Sequence, residues 1–225
     1  MSCGFCDFDL DGDLDLYVVN YLQYPTSTKP CVNLKTGLIE YCHPHTLPPA
    51  MDVYYKNNGD GTFSQATSEV RLDSVPSVRG LGIGFGDFNA NGFTDIYVAN
   101  DTDPNFLFSN RGGLFEEMAV AAGPALSKSG WPEVGMDVDV GDYNSDGWLD
   151  IFVTNTESNT LYQNMGDGTF TDVSELTNLG GVTATLVGFG TKFMDFDNDG
   201  NLDLFVANGY AQDETTVKGQ VPLAL

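Results

Sequence analysis

Four short segments of the chain combine acidic and amide side chains at spacings that suit a metal ion. Each segment reads D-x-[DN]-x-[DN]-G-x-x-D, and the four begin at Asp7, Asp87, Asp142 and Asp195. Oxygen atoms at positions 1, 3, 5 and 9 match the several oxygen ligands that Ca²⁺ takes at ~2.3–2.6 Å. The glycine at position 6 tolerates the positive φ that turns the backbone around an ion. The pattern therefore predicts four Ca²⁺-binding loops.

The predicted ligands of each loop are the side chains at positions 1, 3, 5 and 9 and the backbone carbonyl at position 7. In chain order they are Asp7, Asp9, Asp11, Asp13 and Asp15; Asp87, Asn89, Asn91, Phe93 and Asp95; Asp142, Asn144, Asp146, Trp148 and Asp150; and Asp195, Asp197, Asp199, Asn201 and Asp203. The side-chain ligands include four carboxylates in the first and fourth loops, three in the third and two in the second. Because Ca²⁺ affinity depends on ligand charge, the first and fourth loops are predicted to bind most tightly and the second most weakly.

An EF-hand begins with a similar pattern, but it requires a bidentate Glu at position 12 and a helix on each side. Position 12 is instead Val18, Val98, Val153 or Val206. The residues after each loop are short runs of β-branched and aromatic types that end at Asn, which is typical of strands. The loops are therefore predicted to lie at the bends of β-hairpins, and the EF-hand interpretation is rejected.

The loops recur at intervals of 80, 55 and 53 residues. A second motif with Asn, Gly and Asp-Gly follows three of them, at 55–63, 108–115 and 162–170, and marks a tight hairpin turn. Four strands per repeat of this length predict an all-β fold, a β-propeller of four-stranded antiparallel blades. The predicted blades span 1–72 (with an insertion at 21–51), 80–122, 134–178 and 187–225. Because the last repeat stops after its second strand, residues 1–225 are expected to form an incomplete, open fragment of a propeller.

These repeats resemble the FG-GAP/VCBS repeats of integrin-α-like β-propellers. Phe85-Gly86 and Phe189-Gly190 retain the Phe-Gly pair of that family. The segments Gly-Phe-Gly-Asp-Phe at 84–88 and Leu-Tyr-Gln-Asn-Met-Gly-Asp-Gly-Thr-Phe at 161–170 are most similar to the ASPIC/UnbV (cartilage-acidic-protein-like) group. The resemblance implies a secreted, cell-surface or periplasmic module for adhesion or for binding a protein or carbohydrate ligand.

The composition excludes several classes of partner. The chain carries 32 acidic against 9 basic residues, a net charge of −23, and would repel nucleic acid and anionic membranes. No apolar stretch approaches the ~20 residues that span a bilayer, so no membrane insertion is expected.

A ligand-binding surface is predicted on the face opposite the acidic loops. In an up-and-down blade, that face carries the connections between strands 2 and 3 and between successive blades. Its aromatic and polar residues, of types common in recognition loops, are Tyr24, Tyr41, His43, His45, Asp101, Asp103 and Trp131. Cys31 and Cys42, both in the insertion, are predicted to form a disulfide, with free thiols as the alternative.

No set of residues typical of an enzyme is evident in the sequence. The only two histidines lie in one segment, and neither a Gly-x-Ser-x-Gly nor a phosphate-binding Gly-Lys motif occurs. The expected function is therefore Ca²⁺-dependent binding without catalysis. Two alternatives stay open: an enzyme on a propeller scaffold, such as a polysaccharide lyase with its active site on blades outside this sequence, and a purely structural Ca²⁺-dependent surface protein.

Overall fold

The structure, a computed structural model, describes residues 2–24, 31–32, 37, 39–40, 42–156, 158–183 and 186–209. Over these residues the chain forms three four-stranded antiparallel sheets and one two-stranded sheet in sequence order, with a small two-stranded sheet in the insertion. We call the first four sheets blades one to four. Their strands do not close into a ring over the described residues, so the architecture is an incomplete β-propeller. This confirms the fold class that the repeats predict.

Each complete blade pairs its strands in the order in which they occur in the chain. The strands are β1 (Cys3–Cys6), β2 (Asp15–Val18), β3 (Cys31–Val32), β4 (Ile39–Glu40), β5 (Val53–Asn57), β6 (Phe63–Gln65), β7 (Gly80–Gly86), β8 (Asp95–Asn100), β9 (Phe106–Asn110), β10 (Phe115–Glu117), β11 (Gly135–Gly141), β12 (Asp150–Asn155), β13 (Thr160–Asn164), β14 (Phe170–Asp172), β15 (Val187–Met194) and β16 (Asp203–Gly209). Blade one contains β1, β2, β5 and β6, blade two β7 to β10, blade three β11 to β14, and blade four β15 and β16. Two short helices, α1 (Ala119–Ala122) and α2 (Leu179–Thr183), follow the outer strands of blades two and three.

Aromatic side chains fill the space between neighbouring blades. Phe8, at position 2 of the first loop, lies between blades one and two, where its ring contacts those of Tyr54, Phe85 and Phe115 at centroid distances of 5.9, 5.3 and 5.7 Å. Burying one such ring stabilises the fold by roughly 1.5–3 kcal/mol. The first acidic loop is therefore anchored in the core that joins blades one and two.

The inner strands of blades two and three approach closely. A Cβ atom added to Gly82 of β7 would lie 2.6 Å from the Cα of Asp137 in β11. Only glycine leaves room for the neighbouring backbone at this point.

The two outermost blades expose aromatic residues that are buried elsewhere. Tyr97 and Phe152 are fully buried between blades, as their alignment in the repeats predicts, whereas Phe205 at the equivalent position of blade four is 56% exposed. Phe5 of blade one is likewise 58% exposed. Aligned on the acidic loops, the repeats place Phe5 in one column with Phe85 and Phe205 in another with Tyr97 and Phe152, which predicts that all of them lie between blades. That prediction is wrong for Phe5 and Phe205, because no described blade packs on their side of the array.

The insertion after β2 is held at its base and packs on blade two. Backbone hydrogen bonds join Gln23 to Pro48 and Ala50 to Tyr21, and a disulfide joins Cys31 to Cys42 with their Cα atoms 5.2 Å apart. Among the described residues, no helix is both long and apolar enough to cross a membrane.

Candidate metal centre

The four acidic loops share one backbone conformation. The glycine at position 6 has a φ between +89° and +94° in Gly92, Gly200, Gly147 and Gly12. Position 4 also adopts the left-handed conformation, although its residues are not glycine: Leu10 (+59°), Ala90 (+53°), Ser145 (+59°) and Asn198 (+60°). This conformation costs roughly 1–2 kcal/mol for an ordinary residue. Its presence with four different side chains shows that the loop geometry requires it.

Carboxylates at positions 1 and 5 hold this geometry. In the first loop, Asp7 accepts hydrogen bonds from the amides of Asp11 and Gly12, at 3.1 and 3.0 Å, and Asp11 accepts from the amide of Asp13 at 3.0 Å. Position 1 makes the same two bonds in the other loops, through Asp87, Asp142 and Asp195. A hydrogen bond from the backbone amide at position 7 lowers the pKa of the carboxyl group at position 5 in Asp11, Asp146 and Asp199. These side chains are thereby kept charged and oriented before any ion binds.

The carboxylate at position 9 ties each of the first three loops to the third strand of its blade. Asp95 accepts from the amide of Asn110 at 2.7 Å and from the amide of Phe88 at 3.0 Å, and Asp150 is bonded in the same way. Burial raises the pKa of Asp95 and Asp150 to about 6. Asp15 accepts from the Tyr54 hydroxyl at 2.5 Å and the Asn57 amide at 2.9 Å. The predicted ligands at position 9 therefore also have a structural role.

Acidic oxygens converge in the first and fourth loops. One oxygen from each of Asp7, Asp9 and Asp11, at positions 1, 3 and 5, lies within 4.8 Å of the others, and Asp195, Asp197 and Asp203, at positions 1, 3 and 9, form a second such group. Such charges repel one another by about 1 kcal/mol per pair even in a water-like dielectric. Asp9 Oδ1 is also buried without a hydrogen-bond donor, an arrangement that costs roughly 1–3 kcal/mol. A hard divalent cation would remove both penalties, so the donor set fits Ca²⁺.

The second and third loops offer fewer charges. The side-chain amide of Asn89 donates to Ser109 Oγ at 3.0 Å and to Asp95 of its own loop at 3.3 Å, and that of Asn91 donates to the carbonyl of Asn110 at 2.9 Å. Their side-chain oxygens accept backbone amides within the loop, as the acids do elsewhere. In the third loop Asn144 donates to Asp146 at 2.8 Å. These loops have the same backbone conformation but fewer carboxylates.

Comparison with known families identifies the repeats that carry these loops. The family described as FG-GAP-like repeat matches residues 87–153 and 142–206, which together cover more than half of the chain. The chain belongs to the FG-GAP repeat family. The matched residues include the second, third and fourth acidic loops.

Individual relatives place this FG-GAP protein in a narrower group. It is 29% identical over 177 residues to cartilage acidic protein 1 of Xenopus tropicalis, covering 74% of this chain and 26% of that protein. It is 30% identical over 168 residues to cartilage acidic protein 1 of Homo sapiens, and this match covers 69% of this chain and 24% of that protein. The chain thus spans about a quarter of the length of these curated relatives. The resemblance to FG-GAP repeats of the cartilage-acidic-protein group is confirmed.

One asparagine in each of blades two and three joins neighbouring loops. The side-chain amide of Asn110 donates to the carbonyl of Phe8 in the first loop, at 2.8 Å, and to that of Thr94 in its own loop, at 3.0 Å. Asn164 makes the equivalent pair of bonds between the second and third loops. Sequence reasoning missed this role. The repeated Asn of the second motif is the available signal, but the motif by itself indicates only a tight turn.

The structure separates the residues predicted for the ligand-binding surface. Asp101 is buried and accepts from the Tyr21 hydroxyl, and Asp103 accepts from Arg79 at 3.0 Å, so both carboxylates have partners within the fold. The rings of His43 and His45 stack at 5.4 Å. Tyr24 and Trp131 are largely exposed. Tyr41 lies outside the described residues.

Proposed function

We propose that this chain is a Ca²⁺-binding FG-GAP repeat module of an extracellular protein, and that it acts by binding a partner rather than by catalysis. The observation that carries the proposal is the shared geometry of the loops: four segments with different sequences adopt the same turn, and acidic oxygens converge in the first and fourth of them. The group at Asp7, Asp9 and Asp11 supports it most directly, because it combines clustered carboxylates with a buried, unpaired oxygen.

Ca²⁺ would act here as a structural ion. It would neutralise the clustered acids of each loop, and the loops are bonded to the inter-blade contacts through Asn110 and Asn164. Extracellular Ca²⁺ sites bind at roughly 10⁻⁴–10⁻³ M, which loops with few charges can reach. The disulfide between Cys31 and Cys42 supports an oxidising compartment. The relatives are named as acidic proteins of cartilage, and this chain, at net charge −23, is also acidic.

The opposite face is the proposed site for the partner. Trp131 and Tyr24 are exposed there, and large aromatic residues are favoured at binding surfaces. A protein or carbohydrate ligand fits these groups. Once a ligand is found, its binding should weaken when Trp131 is replaced by Ala. Binding that is unaffected by that change and by deletion of residues 22–50 would contradict the assignment of this face.

Thermal unfolding of the full chain tests the structural role of Ca²⁺. A ligand that binds only the folded state at about 100 times its Kd stabilises that state by ~2.7 kcal/mol per site. This corresponds to a rise in Tm of at least about 5 °C for a chain of this size. Melts recorded with chelator, with Ca²⁺ and with Mg²⁺ should show the largest rise with Ca²⁺. An unchanged midpoint would contradict the proposal.

A further inference from the structure

A lysine side chain lies among the predicted ligands of the first loop. Lys56, in β5, places its Nζ atom against Asp9 Oδ2 and 3.5 Å from Asp11 Oδ2. The side chains of Lys56, Asp9 and Asp11 are 40%, 23% and 38% exposed, so this ion pair is partly screened from water. The first loop therefore already contains a cation from the protein itself.

The same strand position faces the acidic loop in each complete blade. It precedes the asparagine of the third strand by one residue and is Lys56 in blade one, Ser109 in blade two and Gln163 in blade three. Ser109 Oγ accepts a hydrogen bond from Asn89, at position 3 of its loop. Gln163 Oε1 accepts a hydrogen bond from the hydroxyl of Tyr143, at position 2 of its loop, at 3.5 Å. Among these blades, the position is positively charged only in blade one.

We propose that this strand position sets the affinity of each loop for Ca²⁺, and that Lys56 holds the first loop well below the affinity its four carboxylates would otherwise give. This inference rests on the proposed Ca²⁺ binding. A Ca²⁺ ion among Asp7, Asp9 and Asp11 would either displace the ammonium from its two partners or bind beside a like charge. Both routes oppose binding. Among the three complete blades, the first loop then loses the advantage that its four carboxylates would give over the second and third loops.

A site-resolved titration can separate the four loops. The amides of Gly12, Gly92, Gly147 and Gly200 each donate to the position 1 carboxylate of their own loop, at 2.8–3.0 Å. Their resonances in the nitrogen-15-labelled full chain should therefore report the filling of each loop during addition of CaCl₂. In Lys56→Met, the Gly12 midpoint should move to about tenfold lower Ca²⁺ or further, while the other three midpoints stay unchanged.

Introducing a lysine at the same strand position of blades two and three tests the claim in the opposite direction. Ser109→Lys should move the Gly92 midpoint, and Gln163→Lys the Gly147 midpoint, to about tenfold higher Ca²⁺. Lys128→Met is the matched control. It removes the same charge from an exposed pair with Glu175, outside the acidic loops, and should leave the Gly12 midpoint unchanged. The difference in the Gly12 midpoint between the wild type and Lys56→Met should also shrink in high salt, because dissolved ions screen the repulsion between the lysine and Ca²⁺.

The outcomes distinguish this inference from the function on which it rests. If no glycine amide responds to Ca²⁺ in the wild type, the proposed Ca²⁺ binding fails. If the amides respond but Lys56→Met leaves the Gly12 midpoint in place, the inference fails alone. A shift to higher Ca²⁺ in that variant would also overturn it, because Lys56 would then be helping by holding Asp9 in position.

Discussion

Asp52 is a partly buried carboxylate outside the acidic loops, and it joins the start of β5 to β2 in blade one. It accepts a hydrogen bond from the Tyr17 hydroxyl at 2.9 Å and another from the amide of Asn20 at 2.8 Å. Burial outweighs both bonds and raises the pKa of Asp52 to about 6. Because this value exceeds the ~3.8 of an unfolded Asp, the protonated form favours folding. Its stabilising contribution is complete below about pH 3.8 and is lost as the pH rises through about 6.

The variant Asp52→Asn should therefore gain stability relative to the wild type as the pH rises. At a fixed Ca²⁺ concentration, the difference in free energy of unfolding between variant and wild type should increase by about 1 kcal/mol between about pH 5 and about pH 7.5. Urea denaturation at several pH values measures it. Asp60→Asn is the control, because the pKa of Asp60 is lowered by Thr62 and lies outside this range. A pH-independent difference for Asp52→Asn would show that the carboxylate stays ionised throughout.

Individual residues were predictable from the sequence where a repeated pattern fixed their role. The acids and glycines of the loops fall in this class, because their spacing encodes a local turn. Asp52, Lys56 and Asn110 do not, since each acts through a partner that is distant in sequence: Tyr17, Asp9 and Phe8. Such pairings appear only once the blades are assembled.

The space beside the acidic loop is filled between blades one and two but not between blades two and three. A cavity of about 420 Å³ lies beside the second loop, lined by Asp95, Leu107 and Ser109 of blade two and by Phe170 of blade three. In blade one, the residues equivalent to Leu107 and Ser109 are the larger Tyr54 and Lys56. Tyr54 donates to Asp15, the counterpart of Asp95. Smaller side chains on one strand therefore account for the cavity.

Filling this cavity should stabilise the blade pair. Leu107→Tyr restores the residue of blade one and should raise the free energy of unfolding by about 1 kcal/mol, measured by urea denaturation. The matched variant Leu161→Tyr alters the equivalent residue of blade three, which is fully buried. Overpacking there should destabilise the fold by about 1–3 kcal/mol. Equal losses in both variants would show that the space beside Leu107 cannot accept a ring.

Elements with a regular period were predictable, whereas their docking was not. Alternating apolar residues and tight-turn motifs indicated the four-stranded blades. The insertion packs through Arg79, whose buried side chain reaches the carbonyls of Pro44 and Leu47 at 3.1 and 3.3 Å and the carboxylate of Asp103. That contact joins segments more than 30 residues apart, and no periodic pattern encodes it. The helices α1 and α2 are only four and five residues long and left no periodic signal.

At the scale of the whole molecule, the acidic composition and the repeats have one physical explanation. A net charge of −23 opposes compaction, and much of the acid lies in loops at the contacts between blades. Bound Ca²⁺ would convert that repulsion into attraction at the points that hold the array together. The proposal therefore links a property visible in the composition to the stability of the blade contacts.

Isothermal titration of the chelator-treated full chain with CaCl₂ tests this account most directly. We expect two to four bound Ca²⁺ ions per chain, with dissociation constants spread across the micromolar-to-millimolar range of natural Ca²⁺ sites. Replacing Asp7, Asp87, Asp142 and Asp195 together by Asn removes one ligand charge from each loop and should abolish most of this binding. The account would be contradicted if the wild type bound no Ca²⁺ at millimolar concentration, or if the fourfold variant bound as much as the wild type.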